Sequence, residues 1–443
     1  MTIARLHKTG RERRPLDPIE SADRETIDRV KLERLKWTVR HAYENVRVYR
    51  EKMRKAGLTP DDIKSLEDVS KIPFTYKPDL RRSYPYGMFA VPMSEIVELH
   101  ASSGTTGKPT VVGYTRGDLD NWSTLMARTM NMAGIGSGDI VYVALGYHWF
   151  TGGLGFHYGA LRLGATAVPA GTGFTRRNIE MIRDLGATSV AAVPNYMIRM
   201  AEVAGEMGVD LREETRVETA LLGAEMWTEE MRRKIEAAWG IEAFDVYGMS
   251  ELYGPGTGGE CHVHEGIHVW EDHFLVEVVD PKTGEPLGPE EKGVLVVTPL
   301  THEALPLLRY WTNDITRIID SRSCDCGRTM QRIDRIQGRA DDMIIVNGVN
   351  VFPSSIESGL LSVEGVTPNY RIIVYREGGL DKMRIEVEAE PGVDRRLYRI
   401  LEGRIRSVLR NIVLMNPVVE VLEPGTLERV EGGKAKRVID LRG

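Results

Sequence analysis

Between residues 140 and 239 short apolar runs alternate with amphipathic stretches, and that alternation leaves the chain few architectures. Residues 140–145 read as a buried strand, as do 167–169, 189–193 and 219–222. Residues 177–185 and 229–239 read as helices, because their apolar side chains recur every three or four positions. Strands separated by crossover helices pair in parallel and carry helices on both faces. The pattern predicts an α/β fold around a parallel sheet.

The flanks differ from this centre. Residues 21–57 place Ile27, Val30, Leu32, Leu35, Val39 and Ala42 at helical spacing, closed by Gly57 and Pro60. A short strand over 96–99 runs into a glycine- and hydroxyl-rich loop at 102–107, followed by a second strand-like run over 110–114. From 268 to 345 the strands shorten, with Asp280-Pro281 and Thr283-Gly284 as turn signals, predicting a small β-rich subdomain. The last hundred residues predict strands over 371–374 and 382–388 and a helix over 396–412. A boundary near 338–341 divides the chain into a large N-terminal domain, 1–338, and a small α+β C-terminal domain, 339–443.

Composition narrows the function classes. At 443 residues and 42% hydrophobic content the chain can bury a large core. A net charge of −6 and a pI near 6.0 argue against a general nucleic-acid binder, which needs a basic face. No apolar run reaches the roughly 18–20 residues of a membrane span. Residues 1–14 are basic but lack a signal peptide's apolar centre, so a soluble cytoplasmic protein is expected. Three cysteines cannot form a complete disulfide framework.

The loop reads Ser102-Ser103-Gly104-Thr105-Thr106-Gly107-Lys108-Pro109. Glycines let backbone approach an anion, and successive N–H groups, hydroxyls and one ammonium can surround a phosphate. It is not a Walker loop: only two residues separate its first glycine from the Gly-Lys pair, and Pro109 follows the lysine. Together with Ala101 and Thr110, this stretch resembles the signature loop of the adenylate-forming enzymes, in particular the phenylacetate–CoA ligases. The resemblance runs from about Ser83-Tyr84-Pro85 to Arg442.

The other motifs extend it. Asp245-Val246-Tyr247-Gly248-Met249-Ser250-Glu251 is similar to the family's nucleotide segment, in which the tyrosine stacks near adenine and the glutamate holds Mg²⁺. Arg309-Tyr310-Trp311-Thr312-Asn313-Asp314 is similar to Arg-Tyr-Arg-Thr-x-Asp, whose aspartate accepts from both ribose hydroxyls. Trp311 stands where relatives carry Arg, and Asn313 where they carry Gly or Arg. Arg335-Ile336-Gln337-Gly338-Arg339-Ala340-Asp341 resembles the interdomain segment, which implies that Arg335 and Arg339 reach the nucleotide and that Asp341 is the hinge. By the same resemblance Lys434, in Gly432-Gly433-Lys434, is the adenylation lysine.

The resemblance also implies an acid pocket. Tyr147, His148, Trp149, Phe150 and Gly152 fall in a segment like the one that ends Phe-Thr-Gly-Gly in arylacetate ligases. Asn195 and Tyr196 fall in Pro194-Asn195-Tyr196, where relatives usually have Pro-Ser-Tyr. Gly223, Ala224 and Glu225 are placed with the ATP-binding residues and as a further pocket wall.

Cys261 lies in a segment with His262, His264 and His268, and Cys324-Asp325-Cys326, followed by Gly327, reads as a tight chelating turn. Zinc favours four nitrogen or sulfur ligands, so a structural Zn²⁺ site is expected. Relatives with a similar Cys, Gly-x-His and Cys-x-Cys pattern make His268 the implied fourth ligand.

The expected activity is ATP-dependent ligation of an aromatic acid, phenylacetate or another arylacetate, to coenzyme A through an acyl-adenylate. The large domain would carry the ATP and acid sites, and the C-terminal domain would be a mobile lid. Two alternatives remain open: adenylation of another aryl acid or for a carrier-protein acceptor, and a non-catalytic zinc-stabilised nucleotide-binding scaffold. A homodimer is expected only by analogy with relatives.

Overall fold

The computed structural model describes residues 13–102, 109–320, 323–346, 349–377, 380–413, 416–428 and 437–442. The N-terminal helical region forms two helices, α1 (Arg24–Asn45) and α2 (Arg47–Lys55), where one continuous region is expected. Val46 is extended at φ −111°, ψ 114° and breaks the run. Asp23 caps α1 by accepting from the Thr26 amide, and Ile27, Leu35, Val39 and Ala42 are fully buried along one face. α3 (Lys77–Arg82) follows.

The strand expected at 96–99 begins later, as β1 (Glu98–Ala101), because residues 93–95 form a 3₁₀ turn. It pairs antiparallel with β2 (Val111–Tyr114). The hydroxyl-rich loop therefore joins the two strands of a hairpin. At its mouth Ser102 N donates to Thr110 O and Thr110 N donates to Ser102 Oγ, both at 2.9 Å. Ser103, Gly104, Thr105, Thr106, Gly107 and Lys108 lie outside the described residues.

After α4 (Arg116–Met132) come β3 (Ile140–Val143), α5 (Gly152–Leu163), β4 (Thr166–Val168), α6 (Thr175–Leu185) and β5 (Ser189–Ala192). Then follow α7 (Pro194–Met207), α8 (Leu211–Glu214), β6 (Thr219–Gly223), α9 (Glu229–Trp239) and β7 (Glu242–Met249). Neighbouring strands in the order β7-β6-β5-β3-β4 are parallel, as the alternation predicts. The chain goes outward from β3 to β4, then returns past β3 to β5, β6 and β7. Right-handed crossovers in opposite directions place α5 on one face and α6, α7 and α9 on the other. The reversal also leaves a crevice at the carboxyl ends of β3 and β5, the usual ligand position in such sheets. The antiparallel strands β8 (Gly254–Glu260) and β9 (Ile267–Val269) extend the sheet beyond β7.

The turn-rich region forms β10 (Phe274–Val279), β11 (Gly293–Pro299), β12 (Tyr310–Thr316), β13 (Arg332–Ile333) and β14 (Gly338–Arg339). β13 pairs with β9, and the rest form a second sheet in the order β10-β11-β12-β14. The expected turn at 280–284 is closed by Asp280 Oδ1, which accepts from the amides of Lys282 and Thr283.

The C-terminal region contains β15 (Ile344–Val346), β16 (Val349–Val351), α10 (Pro353–Leu361), β17 (Val366–Glu377), β18 (Leu380–Ala389), α11 (Tyr398–Val413), β19 (Val418–Leu422) and β20 (Val438–Asp440). Its second sheet has the order β19-β18-β17-β20. Ile356, Ile372, Ile385, Ile405 and Leu409 belong to a core of its own, whereas Leu361 packs into the large core. Among the described residues no helix is long and apolar enough to cross a membrane.

Candidate active site

Four segments singled out in the sequence sit at neighbouring carboxyl ends of the parallel sheet. Gly146 and Tyr147 follow β3, Asn195 follows β5, Ala224 and Glu225 follow β6, and Tyr247-Gly248-Met249 ends β7. Gly248 is required there. A Cβ on it would lie 2.0 Å from the Gly254 carbonyl oxygen, where the chain doubles back into β8. Ala224 holds the left-handed region at φ 68°, turning Glu225 back toward α7.

Hydrogen bonds join these ends to the phosphate-loop hairpin. Ala101 N donates to Trp149 O at 2.8 Å, and His100 Nδ1 lies 3.2 Å from the same oxygen. Thr151 Oγ1 is 3.2 Å from Ser250 Oγ. The acid segment thus bridges the hairpin and the end of β7. Trp149 and Phe150 are exposed, as is His148, and the Tyr147 hydroxyl is 3.4 Å from His157 Nδ1. Gly152 opens α5. Tyr196 has no exposed surface: its hydroxyl donates to Gly173 O and accepts from Asn178 Nδ2. It supports the wall from behind and does not face the cleft.

Glu251, in the turn after β7, is almost fully buried. Its Oε1 has no hydrogen-bond partner, and Lys77 Nζ stands 3.7 Å away. A buried anionic oxygen left in this state suits a cation. Lys77 carries no signal in the sequence reading, because a lone lysine beside a proline is ordinary.

Asp314 gathers the nucleotide-side residues. Tyr247 Oη donates to Asp314 Oδ2 at 2.7 Å, and Arg339 Nη1 donates to Oδ1 at 3.0 Å. The tyrosine expected beside adenine is therefore also tied to the aspartate expected at the ribose. Burial pushes its ionisation up, with the Asp314 charge adding to it. Arg339 and Asp341 form a two-pronged pair at 2.9 and 3.0 Å, and Asn313 Nδ2 donates to Asp341 at 3.2 Å. Trp311 turns instead toward Phe74, ring centroids 5.0 Å apart and edge to face.

Arg335 lies under this assembly. Its guanidinium pairs with Glu229 at 2.6 Å and stands 3.5 Å from Asp245. Trp227 is held between Arg335 at 4.6 Å and Arg232 at 4.8 Å. Burial raises the Asp245 carboxyl to about 6, against the pull of Arg335. Burial acts to raise Glu260 too, but His264, Arg232 and Arg335 hold it down to about 2. Trp227, Arg232 and Glu260 were not legible as site residues, since their pairing spans separate elements.

Cys261, His268, Cys324 and Cys326 converge, with one donor atom from each within 4.8 Å of the others. Cys261 and Cys324 are 63 residues apart, and their sulfurs are 3.6 Å apart. His268 Nε2 is 3.5 Å from Cys326 Sγ. His264 is not part of this group: it engages Arg232, Glu242 and Glu260. His262 is exposed. The Cys326 thiol is pushed down by the hydrogen bond from Cys261 and by His268, and Cys261 is pushed up in return. Lys434 lies outside the described residues.

Known proteins resemble this chain in sequence and in overall fold. The AMP-binding enzyme family model matches residues 25–299, and the model for the AMP-binding enzyme C-terminal domain matches residues 348–442. The phenylacetate–coenzyme A ligase of Pseudomonas putida is 44% identical over 97% of this chain and 98% of its own. That of Escherichia coli (strain K12) is 45% identical over 96% and 98%. Among solved structures, 2-hydroxyisobutyryl-CoA ligase in the postadenylation state, with an acyl-AMP bound, superposes with a TM-score of 0.90 at 29% identity, covering 95% of this chain and 91% of that one. The same protein in the thioesterification state gives 0.70 at 30% identity, covering 96% and 91%. The arrangement of the two regions described here is thus closer to the postadenylation state. Two family models and near-full-length identity agree with the geometry, and the chain belongs to the AMP-binding enzymes, within the phenylacetate–coenzyme A ligase family.

Proposed function

We propose that the chain is an AMP-forming ligase that joins an arylacetic acid of the phenylacetate class to coenzyme A through an acyl-adenylate. The observation that carries this reading is the convergence of Glu251, Asp314, the phosphate-loop hairpin and the acid segment on one edge of the parallel sheet.

In the first half-reaction a carboxylate oxygen of the acid bonds to the α-phosphorus of ATP, and the bond to pyrophosphate breaks. In the second, the coenzyme A sulfur bonds to the acyl carbon, the thiol proton is lost and AMP departs. Asp314 accepts from the ribose, which requires Arg339 and Tyr247 to share it. Arg335, already under Asp245, steadies the floor of the adenine side. Glu251 would hold Mg²⁺: its buried Oε1 makes no hydrogen bond and stands 3.7 Å from the Lys77 ammonium, which fits that role. Bound there, the ion would offset triphosphate charge. Lys434 is assigned the approach of acid to phosphate. A cytoplasmic location belongs to the same proposal, in keeping with the absence of a membrane-spanning helix among the described residues.

The division into residues 1–338 and a mobile lid, 339–443, belongs to the same proposal, with Asp341 as hinge. A lid core that is separate apart from Leu361, which packs into the large core, supports it. Proline fixes φ near −65°, so Asp341→Pro limits rotation at that bond. It is expected to slow thioester formation about tenfold or more, ~1.4 kcal/mol in barrier, while acyl-adenylate formation stays within about threefold. Asp341→Ala separates lost rotation from the lost Arg339 pair. Undiminished overall turnover in the proline variant would refute lid rotation.

The Cys261–His268–Cys324–Cys326 group is assigned a structural zinc. Tetrahedral zinc with bonds of about 2.3 Å to sulfur and about 2.0–2.1 Å to nitrogen separates two sulfurs by about 3.8 Å and sulfur from nitrogen by about 3.5 Å. The distances of 3.6 and 3.5 Å fit. Four protein ligands leave no open position, so the ion would brace structure and not react.

The function is tested by assaying thioester formation with ATP and coenzyme A across aryl, arylacetic and short aliphatic acids. Arylacetic acids are expected to give the highest kcat/KM. Turnover confined to aliphatic acids, or requiring a carrier protein, would overturn the assignment.

A further inference from the structure

The lid meets the large domain through several polar contacts. Lys234 Nζ donates to Val366 O at 2.6 Å, Ser358 Oγ to Glu230 at 3.1 Å, and Asn369 Nδ2 to Glu202 at 3.1 Å. These join α9 and α7 to the face of the lid that meets the large domain. One further contact reaches the ligand crevice itself. Arg437 Nη2 donates to Asn195 Oδ1 at 2.7 Å, across 242 positions of sequence.

Both partners are held rigidly. The Arg437 side chain is only 14% exposed. It donates to Pro368 O at 2.7 Å and lies over the Tyr370 ring at 4.3 Å, with Glu357 Oε2 3.7 Å away. Its own carbonyl accepts from Ile372 N at 2.7 Å, fixing the backbone to β17. On the other side, Asn195 N and Nδ2 both donate to Glu225 Oε1 at 2.8 Å. A continuous line, Glu225–Asn195–Arg437–Glu357, therefore crosses from the pocket wall after β6 into the interior of the lid.

An asparagine is needed for this line. Its amide offers donors to Glu225 and an acceptor to Arg437 on opposite sides. A serine in its place would be too short to span both. Arg437 also follows Lys434 by three residues, a chain reach of about 11 Å at most. Whatever fixes Arg437 limits where that lysine can be delivered.

We propose that Arg437 is a positioning residue: its bond to Asn195 latches the lid over the acid pocket through the first half-reaction, up to the postadenylation arrangement that this structure is closer to, and parts before thioesterification. This rests on the proposed two-step reaction with Lys434 acting in the first step. A charge-assisted bond of this kind, once lost, shifts the docked lid toward other orientations.

The test is a double-mutant cycle read in each half-reaction. Asn195→Ser and Arg437→Gln are each expected to slow acyl-adenylate formation about tenfold, and Arg437→Gln, whose side chain lies outside the acid pocket, to leave thioester formation from supplied acyl-adenylate unchanged or faster. The double variant is expected to be no slower than either single one. Arg437→Lys, which keeps the charge and one donor direction, restores part of the rate. Arg437 also braces the lid internally, so Asn195→Ser, which leaves every bond inside the lid intact, guards against misfolding. Multiplying losses, or equal losses in both half-reactions, would overturn the latch. Amide exchange in the ligand-free protein provides an independent reading. Asn195→Ser should speed exchange in residues 194–200 and 366–374 together, and unchanged exchange there would also overturn it. A wild-type chain that formed no acyl-adenylate with any acid would defeat the proposed function instead, and the exchange result would still decide the latch.

Discussion

Lys434→Ala is expected to lower acyl-adenylate formation by about 100- to 1000-fold, ~2.7–4 kcal/mol in barrier, and to spare thioester formation from supplied acyl-adenylate. The first half-reaction brings a carboxylate against a triphosphate, and like charges in a cleft of low dielectric repel strongly. A cation delivered at that moment offsets the repulsion without transferring a proton. The residues already at the cleft, Lys77 near Glu251 and Arg339 on Asp314, are held by those carboxylates and cannot replace it. In the second half-reaction the attacking group is a thiol and the leaving group AMP, so the same lysine has no such charge to offset. Single-turnover measurement of each half-reaction decides the point. Equal loss in both would show that the lysine serves binding or folding.

Substituting Cys324 and Cys326 together by serine is expected to release zinc and lower the unfolding temperature by roughly 5 °C, since a domain of this size shifts by less per kcal/mol than the ~2–4 °C of a unit of 150–250 residues. Purified wild-type protein should contain about one zinc per chain. The ligands come from the segments around Cys261 and His268 and around Cys324 and Cys326, which the cluster ties together beside β9 and β13. Metal binding at such a junction adds directly to folding free energy. The proposed roles of Glu251 and Asp314 depend on other residues, so kcat at a permissive temperature should change little. Metal analysis under conditions that keep labile ions would settle the matter. No zinc in the wild-type protein would remove the site, and zinc retained after the double substitution would mean that other ligands hold it.

Much of the architecture was legible because its determinants are local. The helix read over 229–239 is α9 without adjustment, with Thr228 capping it. The runs at 140, 189 and 219 are neighbouring parallel strands, since each is apolar on both faces and followed by a helix. Asp280 and Gly284 close the turn their types suggest. The break at Val46 was not legible, because the apolar spacing continues through it. Nor was the late start of β1, since β-branched Ile96 and Val97 read as strand residues at least as strongly as Leu99 does.

The candidate site divides in the same way. Residue types at fixed spacing, such as Tyr247 with Glu251 or Cys324 with Cys326, are written in the sequence and mark which chemistry is available. Their partners are not. That His268 meets the three thiols while His264 turns to Arg232 depends on strand alternation in β9 and on a loop before it. That Trp311 leaves the nucleotide side for Phe74, and that Arg437 finds Asn195 across 242 positions, depends on how whole elements dock. The sequence by itself determined the parallel sheet, the segments at its edge and the donor types in each. Only the tertiary structure decided which donors face one another. Periodicity and capping act over a few residues, whereas these pairings form only after the sheet, its helices and the lid have packed.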